Sequence, residues 1–185
     1  MLSEEGCRML LTIARETAAA AAAGRQPPDF NESAPELQER QGAFVTLKTH
    51  GRLRGCMGQF VSDEPLWKTV AECAALSASR DPRFAGSRLR LFEMNDLRIE
   101  ISVLSPLRRI QNPLDIELGV HGIYVRRGMR GGCFLPQVAT ETGWTKEEFL
   151  SNCCAGKAGL APDAWKDPQT EVLVFTAQII EEEPH

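Results

Sequence analysis

The chain has 185 residues and a net charge of −4, with 43% hydrophobic and 25% charged residues. This composition is typical of a globular protein and excludes an intrinsically disordered one. The acidic balance disfavours a general nucleic-acid clamp, because such proteins carry a basic excess. The length fits one domain over residues 1–185, and a division into two sublobes with unknown boundaries stays open.

Two helices are predicted in the first half of the chain. Ser3 precedes two glutamates and an apolar pattern at helical spacing that ends before Gly24, so Ser3 is expected to cap the first helix. Residues 63–65 are expected to start a second helix that ends near Ser79, with Pro65 at its first helical position. A third helix is expected from the capping box at residues 145–148 to about Ala155.

Strands are predicted where β-branched or alternating apolar residues occur between turn signals. Residues 43–47 and 52–56 are expected to form a hairpin around a turn at 48–51. Further strands are expected at residues 97–103, 123–125, 133–135 and 172–177. The last of these is interpreted as the final strand, and the acidic residues 181–183 after it are expected to fray. Hairpins and helices without a regular βαβ rhythm predict an α+β fold of mostly antiparallel sheets with flanking helices.

The cysteines and histidines do not follow the spacing of a metal site. No two of the six cysteines have C-x-x-C spacing, and the three histidines form no H-x-x-x-H array, so no metal or cofactor is predicted. A signal peptide is not recognised, so reduced thiols and a cytoplasmic location are expected. No apolar run approaches the ~20 residues that span a bilayer, and no membrane association is predicted. The signature motifs of nucleotide-binding, serine-hydrolase and zinc-protease sites are also missing.

The segment at residues 52–58 has the most unusual chemistry in the sequence. On a regular strand Arg52, Arg54 and Cys56 would share one face, and guanidinium groups near a thiol favour the reactive thiolate. Gly55 and Gly58 flank the cysteine and would allow a ligand or another backbone to approach closely. The segment therefore indicates a reactive or ligand-binding cysteine. The alternative is a small buried cysteine packed under a glycine-lined turn.

Other polar residues are candidates to act with this cysteine. His121, at a junction between a loop and a strand, is the best available base for Cys56, although a histidine beside glycine is often a structural hydrogen-bonder. Asp81 could supply a carboxylate and Arg83 an anion-binding guanidinium, or the two could close a turn by an internal salt bridge. Lys157 follows the vicinal cysteines 153 and 154 near a helix end, where packing is the default role of at least one thiol.

Residues 53–58, which read LRGCMG, resemble the LRGC(I/M)G hexapeptide of the AMMECR domain family, called protein A of the AmmeMemoRadiSam system in prokaryotes. Five further blocks follow the family's order, at residues 42–47, 81–84, 117–123, 134–138 and 154–160. The resemblance covers nearly the whole chain. It implies an α+β fold in two unequal lobes that share a groove, with the hexapeptide near that groove.

The resemblance also implies partners and site residues. Prokaryotic members are associated with a Memo-like protein, similar to non-haem-iron extradiol dioxygenases, and with a radical S-adenosylmethionine (SAM) protein. The candidates it implies are Arg54, Gly55, Gly58, Asp81, Arg83 and Lys157 for binding an unknown small ligand or a partner, and Cys56 and His121 for catalysis.

Three functions stay open on the sequence. The first is a binding component of unassigned activity that acts with those two partners. The second is an enzyme in which Cys56 is a nucleophile that modifies a small molecule or macromolecule. The third and weakest is a nucleic-acid-associated regulator that uses the arginines of residues 126–130.

Overall fold

A computed structural model describes residues 1–183 of the chain. The fold consists of two compact units. The first contains Met1–Leu104 together with the described residues from Gln178 onward, and the second contains Ser105–Ala177. Each unit holds a four-stranded sheet and helices, which confirms the predicted α+β class.

The first unit is built from two helices and four strands. Helices α1 and α2 span Glu4–Ala22 and Leu66–Ser79. Strands β1, β2 and β3 span Ala43–Thr49, Arg52–Gln59 and Leu97–Leu104, and β8 spans Ala177–Glu181; the sheet order is β2-β1-β3-β8. Strand β1 is antiparallel to both β2 and β3, and β2 lies at an edge of the sheet.

The helix boundaries of this unit follow the predicted local signals. The Ser3 hydroxyl accepts the Gly6 amide at 3.0 Å, which confirms Ser3 as the N-cap of α1. Helix α2 begins at Leu66, one residue later than predicted, because Pro65 has an extended backbone with ψ of 146°. The buried faces of both helices contact the sheet and contribute, with β1 and β3, to one hydrophobic core.

The β1–β2 hairpin contains a tight turn and an irregularity that the sequence does not reveal. His50 and Gly51 both have positive φ values, 51° and 72°, as the two central residues of a type I′ turn require. Further along, Leu47 pairs with Gly55 and Lys48 pairs with Leu53, which leaves Arg54 as the extra residue of a β-bulge.

The bulge changes which side chains share a face of the sheet. Cys56 lies opposite Thr46, whereas Arg52 lies opposite Thr49, and side chains an odd number of residues apart on β1 point to opposite faces. The prediction that Arg52, Arg54 and Cys56 share one face is therefore wrong, because it assumed an uninterrupted strand.

The second unit has its own sheet and core. Strands β4, β5, β6 and β7 span Arg108–Arg109, Gly122–Arg127, Arg130–Phe134 and Glu171–Phe175, in the order β4-β7-β5-β6 with antiparallel pairing. Helices α3 and α4 span Pro136–Thr142 and Lys146–Cys153. Phe149 of α4 is completely buried in the core against this sheet.

Helix α4 confirms one prediction and α3 was not predicted. The capping box of α4 is present: Thr145 accepts the Glu148 amide, and Glu148 accepts the Thr145 amide at 2.9 Å. The α-helix ends at Cys153 and continues as a π-helical turn, Cys154–Ala158. Helix α3 has Pro136 in its first turn and ends at Gly143 with φ of 66°, two ordinary boundary signals around a segment too short to show periodicity.

The C-terminal acidic residues are ordered, so the prediction that they fray is wrong. Glu181 ends strand β8, and the Glu182 carboxylate accepts hydrogen bonds from Arg15 at 2.5 and 2.6 Å and from the Ile99 amide at 3.0 Å. The strand predicted as the last is β7, and β8 follows it. No helix in residues 1–183 is both long and apolar enough to cross a membrane.

Candidate functional site

The backbone of Cys56 is held by two side chains at the open edge of β2. Its N–H donates to Asp81 Oδ2 at 2.8 Å, and its carbonyl oxygen accepts Nη2 of Arg83 at 3.0 Å. An edge strand leaves such groups without a neighbouring strand, and here a carboxylate and a guanidinium take the place of one. The Asp81–Arg83 pair therefore fixes the position of Cys56.

Asp81 is itself tightly constrained. Its side chain is 1% exposed, and its oxygens accept the Arg83 amide at 3.0 Å and the Arg83 guanidinium at 2.7 and 3.0 Å. The hydrogen bonds from Arg83 lower the pKa of Asp81 to about 2, and the Cys56 amide acts in the same direction against the effect of burial. The internal ion pair considered in the sequence analysis is thus present, and it also contacts Cys56.

The Cys56 thiol lies on the face of the sheet that carries Thr46. The Thr46 hydroxyl donates to Cys56 Sγ at 3.2 Å, and Cys56 is half-buried. Across β1, Glu100 of β3 lies opposite Thr46 and forms an ion pair with Lys48 at 2.7 Å. The thiol is therefore set in a polar patch of the sheet face.

Arg54 is engaged with a carboxylate. Its Nε and Nη2 donate to Oε1 and Oε2 of Glu93 at 2.6 and 3.0 Å, and its guanidinium lies 5.6 Å from the centre of the Phe84 ring. The Arg54 hydrogen bonds lower the pKa of Glu93. With 10% of its side chain exposed, Arg54 ties β2 to the 3-10 helix Leu91–Asn95.

The two glycines of the hexapeptide allow close packing within the first unit. A Cβ on Gly55 would overlap the Ser77 carbonyl oxygen of α2, and one on Gly58 would overlap the Phe44 ring. The Ser77 hydroxyl accepts the Met57 amide at 2.8 Å and donates to the Val45 carbonyl at 2.7 Å, so it bridges two cross-strand partners. Gly55 thus lets α2 support the strand directly, and Gly58 makes room for the Phe44 ring of β1.

His121 and Lys157 belong to the second unit, whereas Cys56 belongs to the first. His121 Nδ1 accepts the Glu117 amide at 3.1 Å, which closes a local turn. The Lys157 ammonium lies 5.7 Å from the centre of the Phe134 ring, a cation–π contact. Both residues make local contacts within the second unit, and that of His121 is the structural hydrogen bond considered as an alternative in the sequence analysis.

Three of the other cysteines are more buried than Cys56, whereas Cys7 and Cys133 are half-buried as Cys56 is. Cys73 is 2% exposed, and Cys153 and Cys154 are completely buried. Burial raises the pKa of Cys73 to about 12, and it also raises the pKa of Cys153 and Cys154. Within residues 1–183, no group of three or more histidine, cysteine or acidic side chains is arranged to hold a metal ion.

Sequence reasoning missed three residues that support the site: Thr46, Ser77 and Glu93. Thr46 is opposite Cys56 only in the observed register, which depends on the bulge. Ser77 has the helical spacing of the inner face of α2, and a polar residue buried there is a usable signal for a hydrogen bond to the sheet. Glu93 lies 39 residues from Arg54 in the sequence, and no local pattern connects them.

Comparison with known proteins agrees with this architecture. The AMMECR1 family model matches residues 11–180. A protein of Methanopyrus kandleri is 47% identical over 155 residues, covering 80% of this chain and 74% of its own, and one of Methanothermobacter thermautotrophicus is 41% identical over 189 residues, covering 98% and 97%. The crystal structure of an uncharacterized protein from Pyrococcus horikoshii superposes with a TM-score of 0.87 at 39% identity, covering 98% of this chain and 94% of its own. The chain belongs to the AMMECR1 family.

Proposed function

We propose that this protein is a binding component that acts with a Memo-like protein and a radical SAM protein, and that residues 53–58 form its ligand or partner site. In this role Cys56 and Arg83 contact the bound group. Arg54, Gly55 and Gly58 keep the strand rigid beneath it, and Asp81 holds Arg83. His121 and Lys157, in the second unit, are further candidates for contacts with a partner.

The observation that carries this proposal is the fixed backbone of Cys56. Asp81 and Arg83 bind both of its main-chain polar groups, so the thiol is presented without the cost of ordering a loop. The Arg83 side chain remains 53% exposed, which leaves part of its guanidinium accessible to an anionic group. The thiol accepts a hydrogen bond from the Thr46 hydroxyl. A hydroxyl is a poor base for removing the thiol proton, so this contact suits a binding role better than a catalytic one.

The test is binding of the two purified partner proteins to the wild type and to surface variants. Cys56→Ser and Arg83→Gln are expected to weaken association, and Arg25→Gln, at an exposed arginine outside the site, is the matched control. Arg54→Glu is a poor probe, because it would place two carboxylates together at a nearly buried position. Absence of association at micromolar concentration for the wild type would contradict the proposal.

An enzyme with Cys56 as its nucleophile is the second candidate. Two features favour it: the thiol is half-buried, and the exposed Arg83 guanidinium, which donates to the Cys56 carbonyl oxygen, is available to an anionic group of a substrate. Rapid alkylation of Cys56 in the folded protein would support this candidate. Labelling only after unfolding would remove it.

The nucleic-acid function is the weakest of the three. Arg126 pairs with Glu171 at 2.6 Å, and Arg127 pairs with Asp167 at 3.0 Å, so part of the positive charge of the β5–β6 hairpin is compensated locally. A gel shift with RNA and DNA that is absent or insensitive to salt would dismiss it.

A further inference from the structure

We propose that the surface around the Arg54–Glu93 ion pair binds an acidic, partly apolar segment of a protein partner. We call it the rim surface, and it consists of the exposed residues Arg52, Arg88, Arg90, Leu91 and Phe92. The inference deepens the proposed function and rests on it in one respect, namely that this protein works through a protein partner.

The Arg54–Glu93 ion pair brings the two parts of the rim surface together. Arg54 follows Arg52 and Leu53 directly on β2, and its guanidinium donates two hydrogen bonds to Glu93. Glu93 lies in the same 3-10 helix as Leu91 and Phe92, and its Oε2 also accepts the Arg90 amide at 2.9 Å. The hairpin residues and the helix residues are therefore neighbours in space.

A second contact fixes the irregular segment that carries Arg88 and Arg90. Leu89 is 2% exposed, and its amide donates to the Ala78 carbonyl in the last turn of α2 at 3.0 Å. Arg88 and Arg90 flank this buried leucine and are both exposed. The backbone that carries the two arginines is thereby attached to the body of the first unit.

The rim surface exposes large apolar side chains. Leu91 is 52% exposed and Phe92 is 72% exposed. Single exposed apolar residues are common, but two adjacent ones beside exposed arginines form a patch of the kind that marks interaction sites. Leucine and phenylalanine next to arginine also match the composition of protein interfaces, where aromatic residues and arginine are enriched.

The charge of the rim surface is opposite to that of the whole chain. Two acids beside it are paired with other arginines, Glu93 with Arg54 and Asp81 with Arg83, and the exposed Asp96 at the end of the same 3-10 helix lies 3.8 Å from His50. Among residues 1–183, no ion pair engages Arg52, Arg88 or Arg90. A protein of net charge −4 thus presents a local cationic surface, and the complementary partner is acidic.

An acidic protein segment fits this surface better than a phosphate backbone. The apolar side chains lie among the arginines, and a protein partner can bury them, whereas a duplex presents mainly charge. Three unpaired arginines would also contribute few phosphate contacts, and the acidic remainder of the chain would repel a polyanion. The expected segment therefore carries aspartate or glutamate together with leucine or an aromatic residue.

The experiment uses the full chain and a fluorescein-labelled amphipathic peptide of about 20 residues, made of glutamate, leucine and alanine with leucines at helical spacing. Fluorescence anisotropy measures its affinity. The double variant Arg88→Glu/Arg90→Glu and the single variant Phe92→Ser are each expected to weaken binding by about tenfold or more. A peptide with glutamine in place of glutamate is expected to bind the wild type as weakly as the glutamate peptide binds these variants.

The matched control is Arg25→Glu/Arg40→Glu, which reverses two exposed charges elsewhere on the first unit and should change the affinity by less than about twofold. Circular dichroism confirms that all variants are folded. The proposal is overturned if the control weakens binding as much as the rim variants do. It is also overturned if single-stranded RNA or phosphatidylserine vesicles bind more tightly than the peptide.

The same variants separate this inference from the proposed function when the purified Memo-like and radical SAM proteins are used. If Arg83→Gln abolishes their association while the rim variants leave it unchanged, the proposed function stands and the rim inference fails. If neither partner associates but the peptide discriminates the rim variants from the control, the rim inference stands and the proposed function fails.

Discussion

The Asp81 carboxylate accepts the backbone N–H of Cys56 at 2.8 Å and so joins two residues that are 25 positions apart in the chain. The same carboxylate holds Arg83, whose guanidinium reaches the Cys56 carbonyl. One nearly buried charge therefore organises both polar groups of the cysteine backbone. The contribution of this arrangement to the free energy of unfolding can be measured through its dependence on the protonation of Asp81.

The first prediction concerns the pH dependence of stability. Because the folded-state pKa of Asp81 is lowered from 3.8 to about 2, its carboxylate stabilises the folded protein above about pH 4, and this stabilisation is lost as the pH falls through about 2. Asp81→Asn should lower the free energy of unfolding by about 2 kcal/mol at pH 7. Urea denaturation at a series of pH values measures the difference from the wild type.

The control for this prediction is Asp29→Asn, at an exposed carboxylate of the first unit. Its difference from the wild type should be small at pH 7 and should not change in the same way with pH. A difference between Asp81→Asn and the wild type that stays constant from pH 7 down to about pH 2 would show that the carboxylate charge is not the stabilising feature.

The second prediction concerns the coupling between Arg54 and Glu93. Their two hydrogen bonds are made by side chains that are 10% and 18% exposed, so solvent screens them weakly. A double-mutant cycle with Arg54→Met and Glu93→Gln should give a coupling free energy of about 1.5–3 kcal/mol in urea denaturation.

The exposed pair Glu64–Lys68 provides the matched cycle. These side chains are 3.3 Å apart and more than half exposed, and such i,i+4 pairs couple by at most about 0.5 kcal/mol. Equal coupling in the two cycles would mean that Arg54 and Glu93 do not form the link between β2 and the 3-10 helix Leu91–Asn95.

The third prediction concerns the contact between α2 and the hexapeptide. Gly55→Ala should lower the free energy of unfolding by more than about 2 kcal/mol, because the new Cβ would overlap the Ser77 carbonyl oxygen and the backbone would have to shift. Gly86→Ala, where a Cβ meets open space, should be nearly neutral. Thermal and urea unfolding of the two variants would give the comparison, and similar losses at both positions would argue against close packing at Gly55.

Several features of this fold were accessible from local sequence because they depend on local physics. The Ser3 cap and the box at Thr145 are side chains bonding to amides within three residues, and the alternation of β3 reports one buried face directly. The hexapeptide was recognised from the identity and order of its residues. Such a match does not require knowledge of how the residues are arranged in space.

Other features were inaccessible because their partners are distant in sequence. The bulge at Arg54 depends on how β1 and β2 pair. The prediction assumed regular alternation along an ideal strand and therefore placed Arg52 on the same face as Cys56, which is wrong. Glu182 resembled part of a frayed acidic tail until Arg15, 167 residues away, was seen to compensate its charge. Local charge density predicts repulsion, and only the tertiary structure supplies the opposing cation.

The last prediction concerns the reactivity of the thiols. In the folded protein, iodoacetamide should label Cys56 much faster than Cys73, Cys153 or Cys154, since those three are at most 2% exposed and burial raises their pKa values. Peptide mass spectrometry after timed quenching gives the rate at each site. The buried three should become reactive only in denaturant.

The contribution of the Thr46 hydroxyl to this reactivity can be separated from exposure. The hydroxyl donates to Cys56 Sγ at 3.2 Å, and this hydrogen bond holds the thiol in position on the sheet face. Thr46→Val keeps the shape and removes the donor, so the labelling rate of Cys56 at neutral pH should change several-fold, and Thr12→Val, at an exposed position on α1, should leave the rate unchanged. If Cys56 in the wild type reacts only after unfolding, the nucleophile is excluded, and a binding role would have to rest on Arg83 and the rim surface.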